Sequence, residues 1–441
     1  MRALPRRAAL LLPLGTAGCS LLDGVLDPAK TPLSGKREAV GPVRHGLEVP
    51  PGKAGLAAVP LPTPMPDWPQ AGGNAAHAPG HPAAPGVLAP GWTASVGEGT
   101  GYRQRITAPP VVAAGRVVAM DADGAVSAFD FATGNRLWRA VTRPKGDRST
   151  NVGGGVAAEG GRVWATTGRG EALALSAATG KVLWRQPLGA PARSAPTIAD
   201  GRLFTTTLDN KLLAFAADTG APGWTYQGGA KEQTTLLSDS SPAAAEGFVV
   251  AGFGSGDLVT LRADSGALAW SDSLASPGAS TSLADLSAIS GSPVIGGGRV
   301  FVIGEGGLFL SLDLRSGRRL WEREVGGSQT PWLAGDVLYV VTAQQVLAAM
   351  DARDGHPIWV YDLPRYRNAQ ERTGPVRWVG PLLAGNRLIL ASSSSRLAVF
   401  QPATGKLLAA FHTPDPVSLP AVTAGGTVLM LDDPGLIRTF R

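Results

Sequence analysis

The sequence predicts an all-β protein: an eight-bladed β-propeller of four-stranded antiparallel blades, closed by pairing of the N- and C-terminal strands. Three observations predict it. First, "AFDFATGNRLW" (128–138) keeps returning, as "ALSAATGKVLW", "AFAADTGAPGW", "TLRADSGALAW", "SLDLRSGRRLW", "AMDARDGHPIW" and "VFQPATGKLLA", and recurrence at such spacing marks a repeat architecture. Second, Gly 59 and Pro 36 accompany only 17% charged residues, a profile of short strands and tight turns rather than long amphipathic helices. Third, the C-terminal "LPAVTAGGTVLMLDDPGLIRTFR" supplies three strands and lacks a fourth, while "GWTASVG" (91–97) is a strand without a blade. Joining the two would remove an open edge.

Within one unit, "APPVVAAGRVVAMDADGAVSAFDFATGNRLWRAV" (108–141), strands are expected over 110–114, 116–121, 125–130 and 136–141. Each alternates or is wholly apolar, the patterns of half-buried and buried strands. Gly115, Gly124 and Gly134 make the turns. Gly134 adopts positive φ without steric cost, and Thr133 bonds the turn backbone. The tryptophan four residues after the glycine falls on the outermost strand. Trp138, Trp184, Trp224, Trp270, Trp321 and Trp359 take this place, Ala409 takes it in the seventh copy, and Trp92 lies on the N-terminal strand. These rings read as packing between stacked blades.

Repeat spacing is uneven, and the excess falls between one blade's fourth strand and the next blade's first. The insertions are 142–153, 228–241, 272–290 and 362–375. Antiparallel strands alternate in direction, so all four emerge at one end of the ring, and insertions gathered on one face mark the working face.

The N-terminal "MRALPRRAALLLPLGTAGCS" carries Arg2, Arg6 and Arg7, a short apolar run and small residues before Cys19. It reads as an export signal over 1–18. "TAGC" resembles the lipobox of bacterial lipoproteins, which implies lipidation of Cys19, and Ser20 resembles the residue that sends such proteins to the outer membrane. Cys19 is the only cysteine, so no internal disulfide framework exists. Residues 19–88 are rich in Pro, Ala and Gly and read as a tether, with a docking segment near 67–77, "DWPQAGGNAAH", anchored by Trp68. The propeller then occupies 89–441. No later run approaches the roughly 18 apolar residues of a spanning helix. A net charge of +6 speaks of solubility and association only.

Catalytic signals are missing. The histidines are His45, His77, His81, His356 and His412, without zinc-site spacing, and there is no Cys pair. No Gly-x-Ser-x-Gly elbow occurs. "GFGSGD" joins two strands and reads as a turn rather than a phosphate cradle. No catalytic residue, metal or cofactor is expected. One basic cluster, Arg365, Arg367, Arg372 and Arg377, is interleaved with Tyr361, Tyr366 and Trp378. In an exported protein it suits an acidic protein surface or anionic lipid headgroups better than nucleic acid.

The repeats, close to "A-x-D-x-x-T-G-x-x-x-W", resemble the pyrroloquinoline-quinone-like propeller superfamily over 91–441. With the lipoprotein start, the chain resembles the BamB family of the outer-membrane β-barrel assembly machinery, as do "TTLLSDSSPAAA" (234–245) and the stretch 252–295. The resemblance implies a non-enzymatic scaffold, monomeric within a hetero-complex, on the periplasmic face of the outer membrane. It implies that loops 234–242 and 279–293 meet the POTRA domains of BamA, alongside other subunits. Leu236, Asp239, Leu286 and Ser287 match that pattern in character. Leu237 stands where an Arg is expected, and Ala288 and Ser290 replace acidic residues, so the resemblance carries the loops' location and not their charge pairing. Two other readings stay open: a periplasmic propeller binding a small ligand or polysaccharide in its channel, and a relative of the quinone-dependent dehydrogenases. The dehydrogenases characteristically need adjacent cysteines and a calcium site.

Overall fold

The computed structural model describes residues 46–49, 55–229, 239–274 and 288–441. Eight four-stranded antiparallel sheets stand around one axis. Blade 1 comprises Val111–Ala113, Arg116–Met120, Val126–Asp130 and Arg136–Ala140, close to the ranges expected from the unit 108–141. Blades 2 to 7 begin at Gly154–Glu159, Thr197–Ala199, Ala243–Ala245, Val294–Gly296, Trp332–Ala334 and Trp378–Ala384. Blade 8 joins Val422–Ala424, Thr427–Leu431 and Leu436–Phe440 to Pro90–Ser95 from the other end of the chain. Its register pairs Thr93 with Arg438, Ala94 with Ile437 and Ser95 with Leu436. Among the described residues no helix is long and apolar enough to cross a membrane.

Burial follows the strand's place in the blade. Inner strands such as Val126–Asp130 are buried on both faces, whereas the outermost, such as Val182–Pro187, alternate between exposed and half-buried. Both faces of an inner strand meet a neighbouring blade, so nearly every side chain there is apolar.

The repeated motif builds the seam between blades. Asp130 Oδ1 accepts from the Thr133 amide at 2.8 Å and from its hydroxyl at 2.8 Å. The Thr133 hydroxyl bond, with the backbone bonds, holds this carboxyl below the usual range. Gly134 follows at φ 76°. Each glycine has a second task that sequence reasoning missed: it is the floor for the preceding blade's indole. A Cβ added at Gly134, Gly180, Gly220, Gly266, Gly317, Gly355 or Gly405 would lie 2.4 to 2.8 Å from that ring. Each indole then donates across the seam, Trp138 Nε1 to the Ala177 carbonyl at 2.8 Å and Trp359 Nε1 to that of Pro402 at 3.0 Å. Trp92 does the same to Phe131 at 3.0 Å.

The docked part of the N-terminal region is longer than the island at 67–77. Residues 55–88 cross one end of the ring and reach every blade. Trp68 exchanges backbone bonds with Val112 of blade 1, at 2.7 and 2.8 Å. Carbonyls of Pro69, Ala75 and Ala76 accept from Ala158, Ala244 and Ile295, on the first strands of blades 2, 4 and 5. The Gln70 side chain accepts from the Ile198 amide and donates to its carbonyl, reaching blade 3. Trp332 of blade 6 donates to the Gly80 carbonyl, Gly385 of blade 7 to Pro82 and Gly425 of blade 8 to Met65. Innermost strands have a free edge facing the axis, and an unpaired buried amide is costly; this segment supplies the acceptors. Trp68 is 2% exposed and stacks on Trp332, with centroids 6.0 Å apart.

Candidate partner-binding face

The opposite end of the ring carries the described residues of the connections from each fourth strand to the next first strand; of the insertions, 230–238 and 275–287 lie outside the described residues. Their bases form a polar collar about the axis. Thr107 Oγ1 donates to the Gly154 carbonyl, and Gly154 N to that of Arg193. Thr206 Oγ1 donates to Ser240 O, Ser241 N to Ser292 Oγ, Ser292 N to Thr330 Oγ1 and Gly380 N to Gln329 Oε1. Each bond joins neighbouring blades, so this end of the ring is braced. Inside the collar lies a cavity of about 190 Å³, whose floor is Trp68, Gly72 and His77 of the crossing segment. His77 Nδ1 donates to the Pro293 carbonyl at 2.8 Å, and burial lowers the pKa of this ring to about 4, leaving it neutral.

The loop residues singled out from sequence separate into several groups. Leu236, Leu237, Leu286 and Ser287 lie outside the described residues, as does Cys19. Asp239 stands at the collar and accepts from Arg193 Nε at 2.6 Å, which ties the blade 4 loop to blade 3. Ser290 Oγ donates to Glu305 Oε1 at 2.6 Å. Ala288 is 1% exposed, and its carbonyl accepts from the Glu305 amide. It therefore anchors the loop base and presents no side chain to a partner, because its methyl is spent on packing. The blade Trp residues Trp184, Trp224, Trp270 and Trp321 all sit in seams, their Nε1 atoms bonded to the next blade.

The two other insertions have structure of their own. In 142–153, the almost wholly buried Arg169 side chain donates to the Ser149 carbonyl and to Asp123, while Arg143 pairs with Asp123. Asp147, held ionised by bonds from Ser149, faces the same guanidinium. The segment 362–375, expected only as a loop, is a β-hairpin of Tyr366–Asn368 and Thr373–Pro375, with Asn368 Oδ1 closing its turn. Alternation over so few residues is too short a signal to find it. Trp378 is buried beneath and donates to Pro364 O. Arg367, Arg372 and Arg377 are exposed and Arg365 half-buried, and none is paired with a carboxylate among the described residues.

Among the described residues no group of His, Cys, Asp or Glu side chains could hold a metal ion. Fold and site together define a propeller of the quinone-repeat class whose distinctive surface is built from loops. The profile of the family described as outer membrane protein assembly factor BamB matches residues 90–151 and 122–361, more than half of the chain, and the chain belongs to that family. A second profile, the β-propeller domain of glucose, ethanol and alcohol dehydrogenases, matches residues 322–428. The outer membrane protein assembly factor BamB of Shewanella oneidensis is 30% identical over 279 residues, 61% of this chain and 69% of that one. The crystal structure of BamB from Moraxella catarrhalis superimposes with a TM-score of 0.64 at 16% identity, covering 80% of this chain and 98% of that chain. Quinohemoprotein alcohol dehydrogenase from Comamonas testosteroni reaches 0.66 at 17% identity, over 85% and 80%. The last two show a shared fold.

Proposed function

We propose that this protein is a non-enzymatic scaffold of outer-membrane β-barrel assembly, tethered by lipid at Cys19 on the periplasmic side. Membership of the BamB family supports the assembly role. The carrying observation is the braced collar at one end of the ring: a rigid base is what a docking platform requires. In this reading loops 234–242 and 279–293 bind the POTRA domains of BamA, with Leu236 and Leu286 as apolar contacts and Leu237, Asp239, Ser287 and Ser290 around them. The arginines of the 362–377 segment make a second contact with an acidic surface or anionic headgroups.

The dehydrogenase likeness carries the fold alone. Among the described residues that line the cavity the one carboxylate, Asp239, is paired with Arg193, and the chain's one cysteine is Cys19. That donor set does not fit a quinone held on calcium beside adjacent cysteines. A polysaccharide threaded through the channel is disfavoured by the floor of Trp68, Gly72 and His77. The decisive experiment is co-purification of BamA from solubilised envelopes. Leu236→Asp and Leu286→Asp should lower its recovery several-fold while leaving the melting temperature of the propeller unchanged. Undiminished recovery would refute the loop assignment.

A further inference from the structure

Seven of the eight seams are filled in one way, by an indole of one blade seated on a turn glycine of the next. The seam between blades 7 and 8 lacks both halves. Ala409 stands where Trp359 stands one blade earlier, paired with Val399 as Trp359 is with Ala349. Blade 8 has no third-to-fourth-strand hairpin, because those strands come from opposite chain regions and meet through Ala89 and Arg441. At this seam lies an apolar cavity of about 400 Å³, within the usual range for ligand pockets. Ile389, Leu397 and Phe411 line it from blade 7, and Val428, Met430 and Phe440 from blade 8. At its rim stands Phe411, 51% exposed. Arg438 also lines it, fixed by Asp415 at 2.6 Å and Asp432 at 2.9 Å.

We propose that this seam is an acceptor site for one aromatic side chain, an indole by preference, carried on an exposed segment of another protein. The other seams indicate the occupant: Ile389 stands in the row of Val399 and Ala409 as Tyr339 stands in that of Ala349 and Trp359, and Tyr339 packs on the Trp359 ring, so the cavity lies beside the place an indole takes one blade earlier. The fixed guanidinium favours an aromatic face over an aliphatic side chain. A buried aromatic anchor inside an apolar rim is the arrangement that concentrates binding energy at interfaces. The site is on the blade edge, and the proposal does not depend on the loop-face reading.

The test uses the full-length protein with N-acetyl-L-tryptophanamide and N-acetyl-L-leucinamide as probes, read by saturation-transfer NMR. Wild type should bind the tryptophan probe saturably and in preference to the leucine probe. Ala409→Trp supplies the ring from within, and it should raise the melting temperature and weaken probe binding at least tenfold. Phe411→Asp, at an exposed rim position that spares folding, should weaken it as well. Equal binding to wild type and both variants, or no saturable binding to wild type, would overturn the proposal. A self-association of wild type that Ala409→Trp abolishes would assign the cavity to a second copy and overturn it equally.

Discussion

Replacing Trp68 by Ala tests whether the crossing segment is part of the folded body or a tether resting on it. The ring is 2% exposed, stacks on Trp332 and lies beside a backbone exchange with Val112 at 2.7 and 2.8 Å. Truncating a buried Trp to Ala costs about 3–5 kcal/mol. That cost falls first on the docking of residues 55–88, because a segment at one end of the ring can open without unfolding the blades. It amounts to a rise in the open population of roughly a hundredfold to a few thousandfold, at about tenfold per 1.4 kcal/mol. Hydrogen exchange should read it directly. The amides of Ala158, Ala244 and Ile295 donate to the segment and not to a neighbouring strand, so they should lose protection by that factor. Central-strand amides such as that of Leu173, paired within blade 2, should keep theirs. Unchanged exchange at the three amides, or equal loss everywhere, would refute the reasoning.

Three further outcomes are expected. His77 has a folded pKa of about 4 against an ordinary 6.5, so the unfolded chain binds more protons between those values. Stability is therefore full above about pH 6.5 and falls by at most ~3 kcal/mol as pH drops to 4; urea midpoints across that window should show the slope, and His77→Gln should flatten it. Trp359→Ala, at 7% exposure with Tyr339 against its ring, should cost about 3–5 kcal/mol in urea unfolding, and a loss under 1 kcal/mol would deny the seam indoles their role. Cys19→Ala should move the protein from the membrane fraction to the soluble fraction of the envelope.

The blades were legible because their signals are local. Period-two apolarity, the Asp-x-x-Thr-Gly turn and the following tryptophan recur within one unit, and repetition alone announced circular closure: the ends pair as expected, with Ser95 opposite Leu436. The candidate face was read by arithmetic, since strand direction dictates at which end the fourth-to-first connections leave the ring. Residue roles within it were less so. Ala288 was expected at a partner's surface and is buried, because a side chain's exposure depends on what folds over it.

The sequence by itself therefore determined the number of blades, their strands and the place of each indole. Tertiary structure alone decided that the turn glycines are seats for the neighbouring blade's rings, that 55–88 closes the axis against all eight blades and that one seam keeps an apolar cavity. These are contacts between residues distant in the chain, and Gln70 with Ile198 is typical, 128 positions apart. No periodicity records such a pairing, because it exists only once stacked blades place an unbonded inner edge opposite a segment able to satisfy it.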